Sequence, residues 1–259
     1  METKGTGSLE GRRALVTGGV SGIGLGITEA MLQRGMRVVV TGINEARGQE
    51  IVKQLQDRGD VWFLRADVED ETAIRASVDE AVRLLGGLDA LVNNAGVALE
   101  ATLLSTPLSE FDRLFRINVH AVLSYVQAAH PHLTERKGGV VNIGSDAALF
   151  GEQAIGAYSV SKAALVMMSR LLALDLAPDG IRCNCVCPGL TFPGMRHVGP
   201  VSDPAAGDDP ALWGPTPLGR FAHPSDVAAA VLFFLSDDSA CCTGTELLLD
   251  GGLQAGVTG

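Results

Sequence analysis

Short apolar runs alternate with longer stretches of helical period along this chain. The runs are Arg13–Thr17, Arg37–Thr41, Val61–Leu64, Ala90–Val92, Val140–Ile143, Ile181–Val186 and Glu246–Leu249. Several are almost wholly apolar, as expected of parallel strands covered on both faces. Between them the pattern predicts helices over 22–34, 45–57, 70–84, 108–134, 157–176 and 225–235. In 70–84, the positions Ala73, Ile74, Ser77, Val78, Ala81 and Val82 fall on one helical face. This alternation predicts an α/β fold, a doubly wound parallel sheet of seven strands with helices on both faces.

No internal repeat or linker divides the sequence. Residues 1–10 are polar and Gly-rich and read as a flexible tail, leaving 11–259 as one domain. One stretch breaks the rhythm. Residues 190–219 are rich in Pro, Gly and Asp, too long for an ordinary connection, and read as a substrate lid. A short helix is expected around Pro210–Trp213, with Trp213 either capping a pocket or anchoring the loop.

Composition narrows the function. The 259 residues carry a formal net charge of −10 and a pI near 4.9. Such a chain repels phosphate backbones, which argues against nucleic acid as a partner. No apolar run reaches the roughly 18 residues that span a bilayer, and no signal peptide is visible, so the expectation is a cytoplasmic protein without a membrane role. Cys183, Cys185 and Cys187 alternate along one strand. They read as small buried hydrophobes, because a strand lacks the turn that brings two thiolates onto one zinc. The five histidines, His120, His130, His132, His197 and His223, do not pair at ligand spacing with carboxylates, and no metal is expected.

The first run leads straight into Thr17-Gly18-Gly19-Val20-Ser21-Gly22-Ile23-Gly24, and a helix follows. A Gly turn between strand and helix lets the backbone approach a pyrophosphate, and the helix start offers free N–H groups. In dinucleotide folds a carboxylate about 20 residues further on grips the adenosine ribose. Here that place reads Val40-Thr41-Gly42-Ile43-Asn44, with no acid; the nearest cation is Arg47. NAD against NADP is left open, tilted weakly towards NADP because nothing there repels a 2′-phosphate. Asp67, ending the third strand, is placed either to meet the adenine edge or to serve as a turn or cap residue.

Tyr158 and Lys162 stand at i and i+4 at the start of a helix and share a face. A phenol ionises near 10, too high for a base at neutrality, and a neighbouring ammonium lowers it. Ser145 follows an apolar strand in Asn142-Ile143-Gly144-Ser145, where a hydroxyl meets a ligand at the carboxyl edge of the sheet.

Taken in order, these motifs resemble the short-chain dehydrogenase/reductase family, in its branch of about 250 residues. The resemblance covers nearly the whole chain: Thr17–Gly24, Asp67, Asn93-Asn94-Ala95-Gly96, Asn118 in Ile117-Asn118-Val119, Ser145, Tyr158, Lys162 and Pro188-Gly189. It implies a single-domain Rossmann fold and an NAD(P)-dependent oxidoreductase exchanging a hydride with a ketone or secondary alcohol. Tyr158 would be the acid/base and Ser145 would orient the substrate oxygen. Lys162 would lower the Tyr158 pKa and hold the nicotinamide ribose, and Asn118 would support a water relaying protons through Lys162. The implied cofactor contacts are Gly18, Ser21, Gly22, Ile23, Gly24, Asn44, Asp67, Val68, Asn94, Ala95, Gly96, Tyr158, Lys162, Pro188, Gly189 and Thr191. Where the family usually carries Val or Ile and then Thr after Pro188-Gly189, this chain has Thr191 and Pro193. A carboxamide clamp can survive at Thr191, while the usual Thr contact to the pyrophosphate is missing. The resemblance also implies a homotetramer, or at least a dimer, built on 108–134 and 157–176, with Ala163, Ala164, Leu165, Met167 and Met168 either in close helix packing between subunits or in the ordinary core.

Two other readings compete. A 3-oxoacyl-thioester reductase working on an acyl carrier protein would want a basic docking patch, for which Arg136, Lys137 and Arg170 are the candidates. A cofactor-binding module without turnover would have no need for Tyr158 beside Lys162.

Overall fold

The computed structural model describes residues 8–192 and 216–256. Its strands are β1 (Arg13–Thr17), β2 (Arg37–Gly42), β3 (Val61–Arg65), β4 (Ala90–Asn93), β5 (Gly139–Ile143), β6 (Arg182–Pro188) and β7 (Glu246–Leu249). They form one sheet in the order β3-β2-β1-β4-β5-β6-β7, with every pair parallel. The helices are α1 (Gly22–Gln33), α2 (Glu45–Leu55), α3 (Glu71–Leu85), α4 (Leu108–Phe115), α5 (Ala121–Thr134), α6 (Gly156–Leu176) and α7 (Pro224–Leu235).

The apolar runs became strands because both of their faces are covered. Ala14, Val16, Val38, Val40 and Val141 point to one side, into a core shared with α1, α2 and α7. Their neighbours Leu15, Val39 and Val140 point to the other, against α3, α5 and α6. Period two along each strand thus feeds two cores rather than one core and solvent. Asp70 caps α3 by accepting from the N–H groups of Thr72 and Ala73 at 2.8 and 3.2 Å.

Two expectations change. The single helix expected over 108–134 is two helices joined by a π-helical turn, Arg116–His120, in which the Ala121 N–H bonds to the Arg116 carbonyl. A π turn keeps the apolar face nearly continuous, so periodicity alone does not reveal it. The tail expected over 1–10 is partly packed: Leu9 is buried in the first core and accepts from the Arg12 N–H. Of the expected lid, only 190–192 and 216–219 lie within the described residues; the helix around Pro210–Trp213 falls outside them.

The strand order reverses between β1 and β4. Chain leaving the carboxyl ends of these two strands diverges and leaves a crevice, the place where open α/β sheets bind ligands. No helix among the described residues is long and apolar enough to cross a membrane.

Candidate active site

Both walls of the crevice come from the sequence-predicted motifs. Thr17 ends β1, and its hydroxyl accepts from the N–H groups of Asn94 and Ala95 at 2.9 and 3.0 Å. The Asn94 amide donates to the carbonyls of Thr17 and Gly18 at 2.9 and 3.1 Å. The Gly turn and the loop after β4 are therefore bolted together. Gly18 has φ +64°, a left-handed conformation that favours glycine. At Gly24 a Cβ would stand 2.2 Å from the Gly18 carbonyl oxygen, so only glycine lets α1 start this close to the turn. Thr28 locks the same corner, donating to the carbonyls of Gly19 and Gly24.

This corner fits a dinucleotide. Ser21 is the N-cap of α1, yet its side chain makes no capping bond and the first turn holds no acid. The N–H groups of Gly22, Ile23 and Gly24 thus face no competing carboxylate, as a pyrophosphate requires. Beyond the turn the adenosine end is bare. Asn44, expected to touch the cofactor, is exposed and spends its side chain capping α2, accepting from the Arg47 N–H. Asp67 is exposed and accepts from the Glu69 N–H across a tight turn, while Val68 packs against the second core. At the nicotinamide end, Gly189 donates to the Leu249 carbonyl. Thr191 bridges Ala222 through its neighbours' backbone groups, leaving its own N–H and C=O outside that pairing. Pro193 lies outside the described residues.

The catalytic candidates converge at the same edge. Ser145 lies two residues past β5 and is buried. Tyr158 and Lys162 occupy the buried face of the first turns of α6. Lys162 Nζ donates to the Ile143 carbonyl at 2.8 Å, tying α6 to the end of β5. Asn118 stands opposite on the π turn. Its Oδ1 accepts from the Val97 N–H at 3.0 Å, and its Nδ2 donates to the Val97 carbonyl and to Ser161 Oγ. That side chain is fully engaged in fastening the loop after β4 to α6.

Burial dominates the electrostatics of the pair: it pushes the Tyr158 phenol up to about 12, with a hydrogen bond to Ser145 opposing it. Burial pushes Lys162 down to about 8. A low-dielectric site penalises phenolate and ammonium alike. In the protein alone the phenol is therefore favoured over the phenolate.

Two residues at this edge escaped the sequence reading. Asp146, next to Ser145, is buried. Arg65, ending β3, pairs in register with Gly42 of β2 and is exposed. Neither belongs to a motif, and only the sheet register and the turn after β5 bring them to the crevice. The cysteines behave as small hydrophobes: Cys183 lies in the second core, while Cys185 and Cys187 pack together under Val166, their sulfurs 3.8 Å apart.

A family model described as Enoyl-(Acyl carrier protein) reductase matches residues 18–254. The chain belongs to the short-chain dehydrogenase/reductase family. It is 37% identical over 251 residues to a cyclopentanol dehydrogenase of Comamonas sp., covering 96% of this chain and 99% of that protein. It is 36% identical over 249 residues to an L-fucose dehydrogenase of Bos taurus, covering 95% and 90%. Among solved structures, a 7α-hydroxysteroid dehydrogenase complexed with NADH and 7-oxoglycochenodeoxycholic acid superposes with a TM-score of 0.85 at 30% identity, covering 94% of each chain. This short-chain dehydrogenase/reductase is an oxidoreductase acting on CH–OH groups.

Proposed function

We propose that this enzyme interconverts a small secondary alcohol and its ketone, with Tyr158 as acid and base. The observation that carries the reading is the buried grouping of Ser145, Tyr158 and Lys162 at the carboxyl edge, beside the Gly turn. When bound, the nicotinamide supplies or receives the hydride at the substrate carbon. On reduction, Tyr158 Oη gives its proton to the ketone oxygen; on oxidation it takes the proton back. Ser145 holds that oxygen in place. The Lys162 ammonium offsets the phenolate charge while its Nζ is anchored on Ile143. Asn118 keeps the loop after β4 against α6, fixing the wall on which the cofactor rests. A panel of secondary alcohols and ketones, each with NAD and NADP and read as reduced-nicotinamide absorbance, tests the reading. No turnover across the panel would overturn it.

The cofactor preference we infer is NADP over NAD, by a small margin. Gly42 places no carboxylate at the adenosine ribose. Arg47 is a poor phosphate partner, since its guanidinium is held by Glu50 at 2.9 Å. Arg65 stands in register with Gly42 and forms no ion pair among the described residues. It is the better-placed cation.

The acyl-carrier reading finds less support. Arg136 and Lys137 precede β5 and so sit at the amino edge of the sheet, opposite Ser145. Arg170 is held by Glu246 at 2.6 Å.

We further propose a homotetramer. Met167, Leu171 and Leu174 line one exposed stripe of α6 at helical spacing, and Leu108 and Leu123 are exposed on α4 and α5. Of the residues expected to pack between subunits, Leu165 belongs to this chain's own core.

A further inference from the structure

The residue after the catalytic serine is a carboxylate, and it is buried. Asp146 is 8% exposed. Its Oδ1 accepts from Ser145 Oγ at 3.1 Å and from the Ala147 N–H at 2.8 Å. Its Oδ2 accepts nothing from any described residue, and it lies where a Cβ on Gly189 would meet it at 3.1 Å. That position is between the end of β5 and the end of β6, on the catalytic edge. No described cation balances it: no ion pair among the described residues involves Asp146, Glu152 or Asp250. Burial, followed by the charges of Glu152 and Asp250, pushes the Asp146 carboxyl up.

A carboxylate oxygen of a largely buried side chain is poorly hydrated, so a donor brought to it from the crevice is favourable. An ionised carboxylate only accepts hydrogen bonds, so the missing partner must be a donor. No described residue supplies one here. The substrate can, because its reacting oxygen sits at Ser145 and the Asp146 carboxylate is hydrogen-bonded to that same Ser145 hydroxyl. A donor on the neighbouring carbon of the substrate comes within reach of Oδ2. The adjacent carboxylates make the pocket hostile to an anion and receptive to a neutral hydroxyl.

We propose that Asp146 is a specificity-determining residue that accepts a hydrogen bond from a second hydroxyl on the substrate, on the carbon beside the reacting one. The substrate class is then a vicinal diol in oxidation and an α-hydroxy ketone in reduction. This rests on the dehydrogenase reading above and deepens it.

The test compares cyclopentanol with cis- and trans-1,2-cyclopentanediol, with both cofactors, in the wild type, Asp146→Ala and Asp146→Asn. In the wild type, kcat/KM for the better diol isomer should exceed that for cyclopentanol by about tenfold or more, as a hydrogen bond to a charged group allows. In Asp146→Ala the ratio should fall to near one, mostly through KM of the diol. Taking the ratio within each variant cancels any general loss transmitted through Ser145, and Asp146→Asn preserves the side-chain volume if the alanine variant folds poorly. A wild-type ratio at or below one overturns the proposal. So does an unchanged ratio in both variants, which would leave Asp146 only as a support for Ser145. Turnover of cyclopentanol without diol preference sinks this inference alone; no turnover of any alcohol or ketone sinks the dehydrogenase reading as well.

Discussion

Lys162 Nζ stands 5.8 Å from the centre of the Tyr158 ring while donating to the Ile143 carbonyl. The ammonium is therefore held by the end of β5 rather than free to follow the phenol. Tyr158 Oη is left as the proton-carrying atom at the edge where Ser145 also lies. Tyr158→Phe deletes that proton and keeps the ring. Turnover should fall by about 10²–10⁴-fold or more while cofactor affinity holds, since general acid–base groups contribute on that scale. Steady-state rates and cofactor titration by fluorescence check this; near-normal turnover would remove Tyr158 from its role.

Lys162 also makes a prediction about stability. Its folded pKa, about 8, lies below the ordinary 10.5. Below pH 8 the ammonium is charged in both states, and its burial cost is present in full. As pH rises from 8 to 10.5, the folded protein has released the proton and the unfolded chain has not, so stability rises and the cost disappears. Lys162→Met should therefore be inactive yet more stable at pH 7. The shift sets an upper bound of roughly 3 kcal/mol, reduced by loss of the bond to Ile143. The advantage should vanish towards pH 10.5. Thermal melts of both proteins across that range decide it; a variant less stable at every pH would contradict it.

Much of this architecture is legible from the chain because its local signals agree. Runs such as Arg37–Thr41 are apolar at their buried centre, Val38–Val40, and the helices between them carry clear apolar faces. The convergence of the candidate set was legible because Tyr158 and Lys162 are fixed by helical spacing and Ser145 by the end of a strand. What stayed hidden depends on neighbours remote in sequence. Thr17 reads as the polar end of a strand, but its hydroxyl joins two loops across 77 residues. Asn142 interrupts an apolar run for no local reason; folded, it links Asn93 to Ser169 across the floor of the sheet. Burial, which decides the ionisation of Tyr158 and Lys162, is likewise a property of the packed molecule.

Assembly gives a third test. Met167, Leu171 and Leu174 are 51%, 55% and 72% exposed on one stripe of α6, a costly surface for an isolated chain. Light scattering at micromolar concentration should give a mass near four times 27.0 kDa. Replacing Leu171 and Leu174 together with Glu should produce smaller species, because a charge cannot be buried in a helix interface without a partner. A monomeric wild type would reject the tetramer.

The cofactor preference is the sharpest test of the adenosine end. A Cβ added at Gly42 would meet only Phe63 and Val20, each at 3.5 Å, an ordinary contact distance. Gly42→Asp should therefore fold, and its carboxylate should both grip the ribose hydroxyls and repel a 2′-phosphate. The wild type should favour NADPH over NADH by about tenfold at most, roughly 1.4 kcal/mol, because no bidentate Arg faces the site from the turn itself. Gly42→Asp should reverse that order. Arg65→Gln should weaken NADPH selectively, raising its KM while leaving that of NADH near the wild-type value. Arg47→Gln should do little, since Glu50 already occupies that guanidinium. Side-by-side kcat/KM with both cofactors in the four proteins separates the contributions. A strong wild-type preference for NADH would mean that main-chain groups of residues 42–44 hold the ribose unaided. In that case the missing carboxylate at Gly42 would carry no information about the phosphate.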